Sequence, residues 1–137
     1  MKQFFILFIA IFSSSLSFAQ TPVTNEQAQK YYESCATNRD KRMDITTQDI
    51  FCQCSSIGYK QHMTQEDLQA LANSDTPEAR LVLNKMIIHL YAPCMEYPVR
   101  DLVYGKCITD AYQAGKKICS CMSNEMSSYI SKRAQSE

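Results

Sequence analysis

The sequence has only two histidines, balanced charge and no segment with the composition of a β-strand. His62 and His89 stand without a G-x-S-x-G or H-E-x-x-H pattern around them, so the usual hydrolase signatures are absent. The chain carries 14 basic and 14 acidic side chains, which gives no electrostatic reason to expect nucleic acid or anionic lipid as a ligand. No run alternates with period two among β-branched and aromatic residues. These absences favour an all-α protein without enzymatic activity.

Residues 1–19 have the features of a secretory signal peptide. One basic residue, Lys2, precedes an apolar run from Phe4 to Phe12, and small residues close the segment. The apolar run is shorter than the about 20 residues that a transmembrane helix needs, and an uncleaved membrane anchor is the alternative interpretation. We therefore expect export to the periplasm or secretion, with residues 20–137 forming a single helical domain that has no membrane span.

All seven cysteines follow the predicted signal, in a compartment where thiols oxidise. They form a Cys-x16-Cys-x-Cys pattern, a lone cysteine and a Cys-x11-Cys-x-Cys pattern, at Cys35, Cys52, Cys54, Cys94, Cys107, Cys119 and Cys121. We interpret the two patterns as related helical hairpins at about 25–62 and 98–133. The predicted fold is a small disulfide-stapled bundle of about six helices, in which the two hairpins flank a central helix pair.

Capping residues and apolar periodicity place the helices. Thr24 is expected to cap the first helix, Thr46 or Thr47 the second, and Thr64 a short third one. Pro77 stands at the first position of a fourth helix, whose wide apolar face predicts that this helix is central and buried. That face comprises Ala79, Val82, Leu83, Met86, Ile87 and Leu90, with Leu81 and Ile88 at its edges. The sixth helix is expected to pack through Ile118, Met122, Met126 and Tyr129.

Helical geometry suggests how the cysteines pair. The two side chains of a Cys-x-Cys segment on a helix point about 200° apart, so each must bond to a different neighbour. Cys54 lies on the same apolar face as Ile50 and Ile57, so we expect it to face the first helix. In the second hairpin, Cys107 and Cys121 are at more similar distances along their helices from the turn at Gly115 than Cys107 and Cys119 are. Cys119 is therefore expected to be the odd cysteine, with a buried thiol. The favoured pairs are Cys35–Cys54, Cys52–Cys94 and Cys107–Cys121. Spacing alone does not choose among all pairings, so the others stay open.

A definite order of elements covers residues 35–94. A cysteine in a first helix is followed by an aromatic residue and Cys-x-Cys in a second, a threonine-capped short helix and a helix that closes on a fourth cysteine: Cys35, Phe51-Cys52-Gln53-Cys54, Thr64-Gln65-Glu66-Asp67 and Cys94. This order resembles a loosely defined group of uncharacterised exported bacterial proteins. The resemblance implies a helical disulfide fold without an assigned activity. The second cysteine pattern departs from it, because it has no fourth cysteine.

The size, the predicted export and the cysteine content favour a binding or interaction protein that acts on an unknown protein partner. We expect a monomer that needs no cofactor and no metal. An inhibitor or immunity protein is one concrete version, and the periplasmic immunity proteins of type VI secretion are an example of the class. Their Cys-x-Gly-Tyr signature is not matched, because Cys54 stands where the glycine would be and Gly58-Tyr59 comes later.

Two other functions use the same cysteines. Binding of a soft metal such as Cu(I) would draw on thiolate and thioether ligands, since the chain is rich in both cysteine and methionine. Thiol exchange would use a Cys-x-Cys segment with a thiolate of low pKa, and Cys119 follows Lys116-Lys117 near a helix start. Disulfides and core packing also account for these residues, so both functions are alternatives to the binding role.

Sequencing the N-terminus of the exported protein tests the predicted signal. We expect the first residue to be Gln20, because cleavage after a small residue removes the whole apolar segment. Intact-mass measurement on the same sample reports whether the cysteines are oxidised. A chain that retains Met1 and carries only reduced cysteines would contradict both the export and the disulfides.

Overall fold

The structure, a computed structural model, describes residues 20–111 and 115–134, and the predicted signal lies outside these residues. The described residues form six α-helices and no sheet, which confirms the small disulfide-stapled all-α bundle. The helices are α1 Asn25–Thr37, α2 Ile45–His62, α3 Gln65–Leu71, α4 Pro77–Met86, α5 Glu96–Asp110 and α6 Gly115–Ala134. Between α4 and α5 lie a π-helical turn and a 3-10 turn, Ile87–Tyr91 and Ala92–Cys94. None of these helices is long and apolar enough to cross a membrane.

Side-chain caps fix the start of the first four helices. Thr24 and Thr64 each form a capping box, in which the hydroxyl accepts from the backbone N–H three residues on and that residue's side chain accepts in return. Thr76 caps α4 through its hydroxyl, ahead of a proline at the first helical position. The cap of α2 is Asp44, whose carboxylate accepts from the Thr46 N–H at 2.8 Å, so the expected threonine cap is wrong.

The buried side chain of Gln48 holds the connection between α1 and α2. Its amide nitrogen donates to the backbone carbonyls of Cys35 and Asn38, at 2.9 and 3.0 Å, and its oxygen accepts from the Asp40 N–H at 2.8 Å. A buried amide with all these partners costs little desolvation energy and fixes one conformation of the backbone. These bonds fix the backbone directly after α1, which ends at Thr37.

The apolar core is small and lies between α1, α2, α4 and the π-helical turn. Its buried members are Val23, Ala28, Tyr59, Met63, Val82 and Leu90. The ring of Tyr31 stacks on Tyr59, with the ring centres 4.7 Å apart. The backbone of α2 can approach the π-helical turn because Gly58 has no side chain: a Cβ at this position would lie 2.9 Å from the carbonyl oxygen of His89.

α4 is not the central buried helix that its apolar face predicts. Its inner side contributes Ala79 and Val82 to the interior, and Leu90 follows from the π-helical turn. Met86 is partly buried against the core. Four other large apolar residues of this stretch are exposed: Leu81, Leu83, Ile87 and Ile88. The apolar face of α4 is wider than the surface that α2 and α3 can cover. The helix is therefore only half buried.

α5 and α6 pack antiparallel, and α6 contacts α5 through small side chains. Residues four apart on this face are buried: Cys119, Ser123, Ser127 and Ser131. The Ser123 hydroxyl donates to the backbone carbonyl of Ser120 at 3.0 Å, so its hydrogen bond is made within α6 itself. At the start of the helix, Gly115 has a φ of +77°, which agrees with its predicted place in the turn. Small side chains on this face let the two helices approach closely.

The apolar row predicted to be the packing face of α6 points outward instead. Its four residues are between 46% and 67% exposed: Ile118, Met122, Met126 and Tyr129. At 100° per residue, the centre of this row lies roughly 120° around the helix from the centre of the small-residue face. The burial of serines in place of methionines is therefore a consequence of how α6 is rotated about its own axis.

Asp67 connects α3 to α4. Its carboxylate accepts from Lys85 Nζ at 2.6 Å and from the Thr64 N–H at 2.9 Å. Burial acts to raise the pKa of Asp67, but the hydrogen bonds from Lys85 and Thr64 together outweigh it and hold the pKa below its ordinary value. A carboxyl group with a lowered pKa in the folded state stabilises the fold above its unfolded pKa, and this contribution is lost as the pH falls through the folded pKa.

Asp67→Asn should lower the free energy of unfolding at neutral pH by about 1 to 2 kcal/mol, because it removes an ion pair and half of a capping box. The difference from the unmodified chain should shrink as the pH falls from about 5 to 2, where Asp67 itself becomes protonated. Denaturant unfolding followed by circular dichroism measures both effects. Asp75→Asn, at an exposed carboxylate in the same connection, is the control, with an expected change under about 0.5 kcal/mol. A difference that does not vary with pH would contradict this role.

Candidate functional site

Three disulfides join six of the seven cysteines, and all three pairs differ from those expected. The pairs are Cys35–Cys52, Cys54–Cys94 and Cys107–Cys119. Cys121 carries the free thiol, and it is exposed. Cys119 is fully buried, as expected, but it is bonded and is not the odd cysteine. The five other predicted disulfide cysteines are all bonded.

The packing of α2 explains the difference in the first hairpin. The apolar stripe predicts that Cys54 faces α1, yet the stripe includes Ile57, whose side chain is exposed. The side of α2 that meets α1 carries Gln48 and, one turn later, the fully buried Cys52. Because Gln48 bonds to the backbone of Cys35, Cys52 lies beside Cys35, and Cys54 is left to reach the 3-10 turn after α4.

The ends of α5 and α6 explain the second hairpin. α5 ends at Asp110 and α6 begins five residues later, so Cys107 and Cys119 lie at nearly equal distances from their helix ends. Both hairpins then have the same bridge, from the first cysteine to the first member of Cys-x-Cys. The second cysteine of Cys-x-Cys in this hairpin is Cys121, and the sequence has no further cysteine to bond to it as Cys94 bonds to Cys54.

The disulfides bear directly on the two alternative functions. A thiolate ligand for Cu(I) needs a free sulfur, and six of the seven cysteines are in disulfides. Within residues 20–111 and 115–134, no three His, Cys, Asp or Glu side chains are grouped as a metal site. The methionines divide between core and surface, with Met63 buried and Met122 exposed. Cys119 is bonded to Cys107, so Cys119 and Cys121 are not a pair of free thiols in this structure.

The two histidines, distant in sequence, lie side by side. His62 ends α2 and stacks on His89 of the π-helical turn, with ring centres 4.8 Å and ring planes 21° apart. The sequence predicts a solvated His89 and a His62 that interacts with the dipole at the end of its helix. It does not predict their contact, because neither the contact nor a π-helical turn has a local signal. The close approach at Gly58 brings the two elements together. We assign the stack a packing role at the end of α2.

An apolar groove of about 890 Å³ lies between α5, α6 and the connection of α1 to α2. Its apolar side chains come from both helices: Leu102 and Val103 from α5, Ile118 and Met122 from α6. Ile118 and Met122 are residues that the sequence predicts for the core, so the residues were identified but their environment was not. The bridge between Cys107 and Cys119 joins the two helices along the groove, and Cys107 itself is among the lining residues.

The charged side chains that line this groove already have partners within the chain. Arg42 pairs with Asp40 at 2.6 Å, and Lys106 pairs with Asp110 at 2.7 Å. Hydrogen bonding to Arg42 lowers the pKa of the Asp40 carboxyl to about 2, so this carboxylate stays charged in all but strong acid. The apolar side chains of the walls are therefore the part of the groove that is available to contact a ligand.

No protein-family model matches this chain, and neither does any curated protein or solved structure. The resemblance over residues 35–94 therefore remains a prediction. The three disulfides are compatible with an oxidising compartment outside the cytosol. Function has to be argued from the groove, the disulfides and the free thiol.

Replacing the two cysteines of α6 tests the pairing in the second hairpin. Cys121→Ala should change the free energy of unfolding by less than about 0.5 kcal/mol, because its side chain is exposed and unbonded. Adding Cys119→Ala in that background should cost about 3 kcal/mol, since it opens a bridge with a sequence separation of 12. Making both changes together prevents Cys107 from pairing with Cys121 instead. A larger loss from Cys121→Ala alone would contradict the pairing.

Proposed function

We propose that this protein is an exported binding protein that holds an apolar segment of a partner protein in the groove between α5 and α6. The observation that carries the proposal is the exposure of Ile118 and Met122, at 56% and 51% of their surface. Both side chains belong to a helix whose small-residue face is fixed to α5 by a disulfide. α6 therefore cannot rotate to bury them within the same chain, and a partner is needed to cover them.

Adjacent exposed apolar side chains in a concave surface are typical of protein interaction sites. Here the walls contributed by α5 and α6 run along two antiparallel helices, which makes the groove elongated. An amphipathic helix is the partner segment that fits such a shape best, because its apolar stripe contacts both walls while its polar side faces water. Covering the exposed half of one such isoleucine or methionine contributes about 1 kcal/mol to binding.

The frame around the groove is rigid, which favours affinity. The bridge of the α5–α6 hairpin ties the two walls together, and the backbone N–H of Asp44 donates to Asp101 of α5 at 3.4 Å. The connection that carries Arg42 is therefore attached to α5 as well as to Gln48. A surface that is ordered before binding loses little conformational entropy when the partner arrives.

Export is part of the proposal and is supported by the signal-peptide features of residues 1–19 and by the disulfides. An exported, rigid module that covers an apolar segment of another protein has the properties of an inhibitor or immunity-like protein. Such a role requires binding and no catalytic group. The thiol-redox alternative is supported only by the accessible thiol of Cys121.

Site-specific photo-crosslinking tests the groove as the binding surface. A Cβ at Gly105, on the groove, would meet no other atom within 4 Å, so this position is chosen for a photo-reactive aromatic residue. In the native compartment it should capture a partner protein, and Val103→Lys should reduce that capture at least about tenfold by placing a charge against the apolar segment.

Leu81 provides the control, because it is an exposed apolar residue on α4, away from the groove. A photo-reactive residue at Leu81 should not capture the same partner, and Leu81→Lys should not reduce capture from Gly105. Circular dichroism establishes that each variant is folded. Equal capture from both positions, or capture that Val103→Lys leaves unchanged, would contradict the groove as the binding surface.

A further inference from the structure

We propose that His62 and His89 together bind a divalent transition-metal ion of the class that prefers nitrogen ligands, such as Cu²⁺, Ni²⁺ or Zn²⁺. One imidazole comes from the end of α2 and the other from the π-helical turn, so a single ion contacts both elements. The groove between α5 and α6 contributes neither ligand. The inference therefore goes beyond the proposed function and is tested separately from it.

The two imidazoles are the only ones in the chain, and the fold places them against each other. His62 and His89 are far apart in the sequence, which contains no other histidine. Their ring centres nevertheless lie 4.8 Å apart, with 21° between the ring planes. Both side chains are exposed, so an ion from the solvent can reach them without any opening of the core.

Buried neighbours fix the backbone on both sides of the pair. Met63, directly after His62, is 1% exposed, and Leu90, directly after His89, is fully buried. One turn before His62, Gly58 lies so close to the π-helical turn that a Cβ there would be 2.9 Å from the carbonyl oxygen of His89. Core packing therefore holds the two histidines together before any ion arrives, and binding loses little conformational entropy.

One ion can bond to both rings after rotation of the side chains alone. A bond from a metal to an imidazole nitrogen is about 2.0 to 2.1 Å long, so two nitrogens on one ion lie about 2.8 to 3.4 Å apart. Rings that stack at 4.8 Å must tilt their edges toward each other to reach this separation. The terminal torsion of histidine has a broad minimum, so the tilt needs no change in the backbone. Two bonds to the ion then replace the ring stack.

The ligand type determines the class of ion. Neutral imidazole suits Zn²⁺, Ni²⁺ and Cu²⁺, with Cu²⁺ bound most tightly, whereas Mg²⁺ and Ca²⁺ prefer oxygen ligands. Within residues 20–111 and 115–134, no third His, Cys, Asp or Glu side chain is grouped with the two imidazoles. Water completes the coordination, so the ion binds reversibly and exchanges with the medium.

The lysines near the two histidines do not oppose a bound cation strongly. Lys85 stands one turn before His89, and its ammonium group already pairs with the carboxylate of Asp67 at 2.6 Å. The two charges cancel, which leaves little repulsion at the distance of the rings. Lys60 precedes His62 by two residues, so its side chain points about 200° around α2 from the imidazole.

Calorimetric titration of the exported chain with CuCl₂ in a non-coordinating buffer measures the binding. Every variant carries Cys121→Ser, which removes the free thiol as a competing ligand and reductant. We expect one Cu²⁺ per chain, and coupling to two imidazole nitrogens in pulsed electron paramagnetic resonance. His62→Asn and His89→Asn should each weaken binding at least about tenfold, because the second bond to the ion, which is intramolecular, is lost.

A histidine moved by one position is the matched control. Gln61 is exposed, and its side chain points about 100° around α2 from that of His62. Gln61→His combined with His62→Gln keeps two imidazoles in the chain but separates them. This variant should bind Cu²⁺ no more tightly than His62→Asn does. Circular dichroism establishes that each variant is folded, as expected for changes at exposed positions.

Several results would overturn the proposal. Equal affinity of the moved-histidine variant and its Cys121→Ser parent would show that only the number of imidazoles matters. Coupling to a single imidazole, one ion shared by two chains, or an affinity that neither histidine substitution changes would each contradict the site. None of these results bears on the capture of a partner from Gly105. Conversely, Val103→Lys should leave Cu²⁺ binding unchanged, so the two proposals fail separately.

Discussion

The bond between Cys107 and Cys119 sets the rotation of α6 about its own axis, and most surface properties of this half of the molecule follow from it. Once Cys119 is fixed to α5, the residues four apart from it must face α5 too, and these are serines. The apolar row that begins at Ile118 then faces outward and forms one wall of the groove. The same rotation directs the thiol of Cys121 into solvent.

The sequence predicts features that depend on neighbouring residues. Thr24 and Thr64 cap the helices they were expected to cap, because a cap is a contact over three residues, and Pro77 begins α4 as expected. The all-α class follows from the absence of strand patterns, and the seven cysteines correctly indicate a disulfide framework. The turn at Gly115 is of the same local kind, since a positive φ belongs to the residue itself.

Features that depend on contacts between distant residues could not be predicted in the same way. The pairing of Cys35 with Cys52 follows from the position of Gln48, whose side chain bonds to backbone groups of another helix. Apolar periodicity predicts the most hydrophobic face of a helix as its packing face. For α6 it therefore predicts the apolar row and not the row of serines. A disulfide outweighs that preference because it is worth about 3 kcal/mol and is directional. Ile118 and Met122 of the groove were therefore predicted as packing residues but assigned to the core.

The order in which the disulfides can form is a consequence of their connectivity. The two hairpin bridges span 17 and 12 residues, and each closes within one helical hairpin, whereas the bond from Cys54 to Cys94 spans 40 residues and needs α3 and α4 in place. Loop closure costs less entropy for the short spans, so the hairpin bridges form first. Until the long bridge closes, the nascent protein exposes three thiols, and rearrangement among them makes a disulfide isomerase useful to its biogenesis.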